Sequence, residues 1–595
     1  MRSVLLTMLP RGACAALICV ATATAAAPLR VAGTALDTNG APVPYVRVTL
    51  RGAGTAAFTT SIFSVADGKF AIDLKEADPA QLKIEATRIG WQEVARDLSR
   101  SSGAVAMQLT FKPIANVAAQ VPASAWIPGD VGDRDFHILI NECTQCHQLG
   151  AARVKRFASS MAGQPLAMRT AAWEAIVQYM RGQALRMGPA GGQAHLRWGL
   201  TEESPDYKAA VAPETSFFQP RDMARVVPFL AKNFPTSFET YTNYDDIKRL
   251  GEYGVTDKTV IEEFALPSFG WTREVSIAPG SPFVWFVELD GDRLGALDTT
   301  TGKVDWFDVP GNGPQGPHTL NADADGNLWM ALEESYSLAR FNPKTHEWRV
   351  FPPPPGVKFA ITHDTAINSK RHIQADAHGR IWLTLIGINE LWSVDTKTSE
   401  VKRYPMPLPE GEAPFHAFIY GAAMDPSLKR VWWTQLHGSL GSFNVETEKV
   451  ETIVPFPRGA APRRMAIDDD GTLWVPLYGE GQLLKFDTKR GVEIARYNLP
   501  DRAAAAYSVT LDSKRHAVWV GTTNSDRIYR FDIDSAHWRQ YPLPRKEAFL
   551  RMIEIDHATG DLWTAYANLP IGKREPEIYG DEHANNMIVR LHPGD

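Results

Sequence analysis

"DADGNLWMALEE", residues 323–334, holds an Asp-Gly turn followed by an apolar run centred on Trp329. An Asp-Gly pair beside alternating apolar residues signals a hairpin. The unit recurs along the chain. Tryptophan follows an apolar residue at Trp285, Trp329, Trp382, Trp432, Trp474, Trp519 and Trp563, at successive spacings of 44, 53, 50, 42, 45 and 44 residues. Most copies follow an Asp-rich turn ("DAHGR", "DDDGT", "DHATGD"). Most lead into a strand, a second turn and an aromatic strand ending in Pro, as in "LWSVDTKTSEVKRYPMP" and "IYRFDIDSAHWRQYPLP". Four strands in a repeat of about 45 residues match one propeller blade. Seven such units predict a seven-bladed β-propeller over residues 255–595. The seventh unit ends at "MIVRLHPGD" without an outermost strand, and "VIEEFALP", residues 260–267, precedes the first unit with that strand's pattern. Pairing the two would close the ring and remove both open edges.

The whole chain, at 595 residues, is too long for one core. At about 150 residues per domain, three or four domains are expected. The 595 residues are 44% apolar and 22% charged, which is ordinary for globular protein, and the net charge of −6 with no basic block argues against a nucleic-acid partner. Residues 1–27, "MRSVLLTMLPRGACAALICVATATAAA", have the arginines, short apolar run and small residues of a secretory signal peptide. The apolar run is shorter than the roughly 20 residues a spanning helix needs. A periplasmic mature chain without a transmembrane segment is therefore expected. Residues 28–112 read as short strands broken by Asn-Gly and Asp-Gly turns, a β-sandwich pattern, and residues 113–130 read as a linker.

The four cysteines are Cys14, Cys19, Cys143 and Cys146. The first two leave with the signal peptide. The other two stand in "NECTQCHQLG", residues 141–150, as a C-x-x-C-H ending in His147. A structural zinc site would want a second ligand pair, which the chain lacks. A redox dithiol would want a βαβ setting, which is not apparent. The pattern fits one covalent haem c, with thioethers from Cys143 and Cys146 and His147 as an iron ligand.

Residues 131–245 resemble small bacterial monohaem cytochromes c: the C-x-x-C-H is followed by "WEAIVQYM" and a closing helix, "RDMARVVPFLAKNFP". On that resemblance Met180 is the second axial ligand. Met187, in "RMGP", is the alternative; Met161, Met168 and Met223 are weaker candidates, and His137 would make a bis-His haem. Residues 28–112 resemble carboxypeptidase regulatory-like domains, on "G-x-x-x-D-x-x-G-x-P-V-x-x-V-x-V" followed by "D-G-x-F"; such modules mostly serve as spacers or docking surfaces. The repeats over residues 260–593 resemble the streptogramin (virginiamycin B) lyase family. In that family Mg²⁺ and a His/Glu set near the axis open an ester ring by elimination.

The family set is incomplete in this chain. Pro317-His318 precedes Trp329, but Leu332 stands in the place of the family's Glu, with Glu333 one step off and expected to face away. Blade one has that Glu, as Glu288, but Glu274 stands in its His region, and blade four has Gln435. Other expected channel residues are His318, His372, Tyr420, Arg464, Tyr507 and Arg551, with Arg464 and Arg551 suited to an anionic or aromatic small molecule. His363-Asp364, in a long insertion, is expected to form a lid or to meet the cytochrome unit. Fold alone does not give function. A covalent haem favours a redox protein whose propeller binds a small-molecule substrate or an electron-transfer partner, because elimination needs no electron carrier. A Mg²⁺-dependent lyase with an accessory cytochrome, and a non-catalytic binding scaffold, are the alternatives.

Overall fold

A computed structural model describes residues 27–52, 57–77, 82–97, 104–128, 133–145, 147–187, 219–242, 252–267, 271–357, 360–566 and 586–595. Residues 1–26 of the expected signal peptide lie outside this set. Among the described residues no helix is long and apolar enough to cross a membrane.

Seven four-stranded antiparallel units form a β-propeller. The inner strands of the first four blades are Thr272–Ser276, Pro317–Ala322, Ile361–Thr365 and Ile419–Met424. Those of the last three are Ala466–Ile467, Ala506–Asp512 and Leu550–Ile555. Each inner strand touches the next, and the seventh touches the first, so the ring is closed. The seventh blade takes its outer strand from the start of the propeller: Val260–Ala265 pairs antiparallel with Met587–His592. This is the closure the sequence predicts.

The repeated Trp explains why the blades stack. Each stands on the second strand of its blade, at most 5% exposed. Each also shares a core with the following blade. Trp329 packs with Ile373 and Leu383 of blade three, Trp382 with Ala422 and Val431 of blade four, and Trp563 with Val275 and Phe286 of blade one. Burying so large a side chain contributes about 1.5–3 kcal/mol. In blades two, three and six an Asp of the preceding turn satisfies the indole. Asp323 accepts from Trp329 Nε1 (2.8 Å), Asp376 from Trp382 Nε1 (2.8 Å) and Asp512 from Trp519 Nε1 (3.0 Å). The same Asp323 carboxylate accepts the turn's amides of Asp325 (3.0 Å) and Asn327 (2.9 Å). One side chain thus sets the hairpin and anchors the wedge.

The N-terminal residues form two sheets over one core. One orders Lys69–Ala77, Ala27–Asp37 and Ala104–Phe111; the other orders Thr59–Phe63, Arg47–Arg51, Lys83–Thr87 and Val94–Asp97. Val31, Val48, Ile84 and Phe111 lie between them. The second sheet continues into the propeller, because Thr59–Ile62 pairs antiparallel with Val260–Glu263. The closing strand of blade seven therefore has both edges paired, in an eight-stranded sheet that spans the two units. The stretch that reads as a linker is packed. Val117, Val121 and Trp126 share a small core with Phe238 and Tyr241, and Ser124 N donates to Asn524 O (2.9 Å) on blade six.

Among the described residues between these units are the helices α1 (Asp133–Cys143), α2 (Ala152–Ser159), α3 (Leu166–Met187) and α4 (Pro220–Asn233). Their core holds Phe136, Leu139, Trp173, Val177 and Leu230, and it is continuous with propeller residues Phe418, Tyr478 and Tyr507. The helices are thus packed on the propeller and not only beside it.

Candidate functional site at the axial end of the propeller

Helix α1 crosses the end of the ring from which the inner strands start. Two glycines let its backbone approach. A Cβ on Gly459, at φ +88°, would stand 2.9 Å from Ile138 N, and one on Gly479 would stand 2.9 Å from His137 O. The helix ends at Cys143, the first cysteine of the C-x-x-C-H.

The loop that follows is tied down by propeller side chains. Thr144 is fully buried, and its Oγ1 lies 2.6 Å from Tyr478 Oη, which also donates to Thr144 O (2.7 Å). Arg551 Nη2 donates to Gln145 O (2.7 Å). Leu149 N donates to Asn524 Oδ1 (3.1 Å), and Gln148 Nε2 donates to Asp526 Oδ1 (2.8 Å).

Cys143 is half-buried and not in a disulfide, and burial with the Glu142 charge beside it pushes its thiol up. Cys146 lies outside the described residues. Burial lowers His147 to about 4, so the imidazole is neutral at ordinary pH. Its Nδ1 faces Gln148 O at 3.0 Å. With the proton on Nδ1, that contact leaves the Nε2 lone pair as the ligating atom, as in metal-bound histidines. His147 is therefore fit to ligate a metal through Nε2.

Met180 is half-buried on α3, on the stripe that carries buried Trp173 and Val177. The side chain of Met187 lies outside the described set. Met161 and Met223 are buried in the helical core, and Met168 is exposed. His137 Nε2 stands 3.3 Å from Arg502 Nη2.

Beneath this loop the inner strands deliver a buried polar cluster (Arg273, Glu274, His318, His363, Asp364, Tyr420) that continues through Arg463, Arg464, Tyr507 and Arg551. Arg464 pairs with Glu274 and lies 3.2 Å from Thr319 Oγ1. His318 bonds Arg273, lies 3.9 Å from Glu274 Oε1 and packs at a tilt against His363, with 4.7 Å between ring centroids. Burial first, then Arg273 and His363, hold His318 well below its usual range. It is a neutral base and not an acid. Burial brings Arg273 down to about 10, with the like charge of Arg551 adding to it. Burial raises Asp364 to about 6 against the pull of Arg464.

Several sequence expectations need correction. Glu333 does not face away: its Oε2 is 3.7 Å from His318 Nε2. The strand ends at Leu332, so Glu333 stands in a turn where strand alternation no longer applies, while Leu332 is buried in the core of blades one and two. Burial raises Glu333 despite the nearby Arg273.

Glu288 is not on an inner strand, although it pairs with Thr272 at the start of one. It ends the second strand of blade one, fully buried, 2.9 Å from Arg293. His372 is not on an inner strand either. It lines a cavity of about 610 Å³, with Lys370, Asp468, Glu554 and His557, at the end of the ring where the inner strands finish. The axial residue of blade three is His363, beside Asp364, and neither forms a lid.

Arg463 and Tyr478 were not anticipated. The doubled "RR" entering blade five was the available signal for Arg463; nothing in the spacing marked Tyr478.

The chain matches no protein-family model and no curated protein. Solved structures of similar shape include a streptogramin B lyase, at 18% identity over 56% of this chain and 97% of that one, with a TM-score of 0.45. They include selenomethionine-substituted virginiamycin B lyase from Staphylococcus aureus, at 15% identity over 56% of this chain and 99% of that one, with a TM-score of 0.44. They also include the Cps50 (Swd1) β-propeller domain of Myceliophteria thermophila, at 13% identity over 55% and 97%, with a TM-score of 0.42. The blade count above rests on the strand pairing of this chain alone.

Proposed function

We propose that this chain is an exported haem c electron-transfer protein, and that its propeller receives a small-molecule substrate or a redox partner at the axial end beneath the C-x-x-C-H loop. The observation that carries the reading is the tie between that loop and the axial cluster. Arg551 bonds both Gln145 O (2.7 Å) and Tyr507 Oη (3.1 Å). Cys143 and Cys146 would hold the haem covalently, His147 Nε2 would be one iron ligand, and Met180, or Met187, would be the other. The bound group supplies a one-electron couple. The chain's own residues do the rest: α1 and the Trp173 core exclude water, Arg551 fixes the loop, and Arg464 and Arg551 meet an anionic or aromatic ligand.

Residues 28–112 would act as a carboxypeptidase regulatory-like β-sandwich that docks the propeller, in a periplasmic protein. The test is the purified full-length protein. Haem staining under denaturing conditions is expected, and is lost in the Cys143→Ala, Cys146→Ala double variant. Staining that survives in that variant would refute the haem assignment.

One observation favours a lyase instead. Glu333 and His318 are close enough to act as a family-like acid–base pair. Among the described residues, no group of three or more His, Cys, Asp or Glu side chains could hold a metal ion. Incubation with a streptogramin lactone and Mg²⁺ separates the readings. Negligible lactone loss is expected. Turnover abolished by EDTA and by His318→Ala, with or without haem, would promote the lyase.

A further inference from the structure

The peptide link between Gln148 and Leu149 is one rigid plane, with its C=O and N–H pointing to opposite sides. Both groups are in use. The Gln148 carbonyl faces His147 Nδ1 at 3.0 Å and also accepts from Ala151 N (3.2 Å). The Leu149 N–H donates to Asn524 Oδ1 (3.1 Å). A propeller side chain therefore reaches the ring of His147 through a single peptide plane.

Asn524 is held so that it can hold that plane. It stands in the turn between the second and third strands of blade six, fully buried. Its Nδ2 donates to Ala503 O (2.9 Å), which fixes the amide so that Oδ1 faces Leu149. Its backbone is tied as well: N donates to Ala504 O (3.0 Å), and O accepts from Ser124 N (2.9 Å). Two residues on, Asp526 Oδ1 accepts from Gln148 Nε2 (2.8 Å), which also lies 3.4 Å from Ala548 O, and Gln148 is buried. Beyond Leu149 the chain is pressed against Ala123, since a Cβ on Gly150 would stand 2.2 Å from Ala123 O. The plane is thus gripped at the Gln148 side chain, at the Leu149 amide and at Gly150.

We propose that Asn524 is a positioning residue for His147: through the Gln148–Leu149 peptide it keeps the imidazole proton on Nδ1 and the Nε2 lone pair free for iron. Hydrogen bonds in a chain polarise one another, so the Asn524 contact makes the Gln148 carbonyl a stronger acceptor. A stronger acceptor at Nδ1 makes Nε2 a stronger donor to a metal, which favours the oxidised state. Blade six would then tune the haem couple across two hydrogen bonds. The redox consequence rests on the haem reading above; the placement of the proton does not.

The test compares full-length wild type with Asn524→Ala. With haem bound, the midpoint potential of the variant is expected to rise above that of the wild type. Nitrogen-15 and proton NMR of the same reduced proteins should show a His147 Nδ1–H that exchanges slowly with water in the wild type, and about tenfold or more faster in the variant. Glu554→Gln, at the other end of the ring, should change neither reading. Should Asn524→Ala fail to fold, Asp526→Ala frees the Gln148 side chain and should move both readings in the same direction. A potential and an exchange rate that ignore these variants would overturn the positioning role, and so would a wild-type His147 that carries its proton on Nε2. A wild type without haem would refute the haem reading and leave the Nδ1–H exchange rate to decide this one.

Discussion

At the residue scale, position within an element outweighs position in the repeat. Glu333 is one residue beyond a strand, and that single step frees it to approach His318 (3.7 Å). Arg551 is the residue on which most depends, since it serves Gln145 O and Tyr507 Oη together. Arg551→Ala leaves both acceptors buried and should cost about 1–3 kcal/mol in urea unfolding; an unchanged midpoint would show that neither bond matters.

Glu554, at the other end of the ring, gives a pH prediction. Burial raises it to about 7 from 4.5, although Arg371 lies 2.7 Å away and pulls it down. Its folded pKa is above its unfolded one. Its contribution is therefore full below pH 4.5 and is lost as pH rises through 7. Glu554→Gln should flatten part of the fall in stability across that window, measured as urea midpoints at pH 4.5 and 7.5. An identical slope in the variant would contradict this.

At the element scale, two contacts join units that the sequence presents in tandem. Val260–Ala265 pairs on both edges, with Met587–His592 and with Thr59–Ile62. Ile261 is fully buried in that strand. Ile261→Pro removes a ladder donor and should cost about 3 kcal/mol or more. It should also release the N-terminal sheets to limited proteolysis at the same denaturant concentration that opens blade seven. Helix α1 depends on Gly459, which has φ +88° and no room for a Cβ. Gly459→Ala should destabilise the protein by more than about 1 kcal/mol and raise hydrogen exchange across residues 133–143. Exchange that rises elsewhere but not there would separate α1 from the propeller.

At the scale of the whole molecule, the core of the helices runs into the propeller without a break. Tryptophan wedges carry the contact from each blade to the next. Trp382 is fully buried between blades three and four. Trp382→Ala should cost about 3–5 kcal/mol and lower the midpoint of thermal unfolding. The helical and β signals should fall together in circular dichroism, because one core serves both. Two separated transitions would contradict the shared core.

The repeat of Trp and Asp-Gly turns was enough to give seven blades, because each unit's pattern is local and its Asp, turn and indole lie within about a dozen residues. The closing strand was also legible, since an incomplete last blade needs a strand and "VIEEFALP" supplied one. The C-x-x-C-H could be read as a motif for the same reason: its meaning lies in five consecutive residues. Only the tertiary structure placed that motif over the propeller axis, paired the N-terminal sheet with blade seven, sent His372 to the far end and turned Glu333 inward. These outcomes depend on contacts between residues far apart in sequence, such as Gln145 with Arg551 and Thr144 with Tyr478. Local periodicity records which face of a strand is buried; it carries no information about what is buried against it.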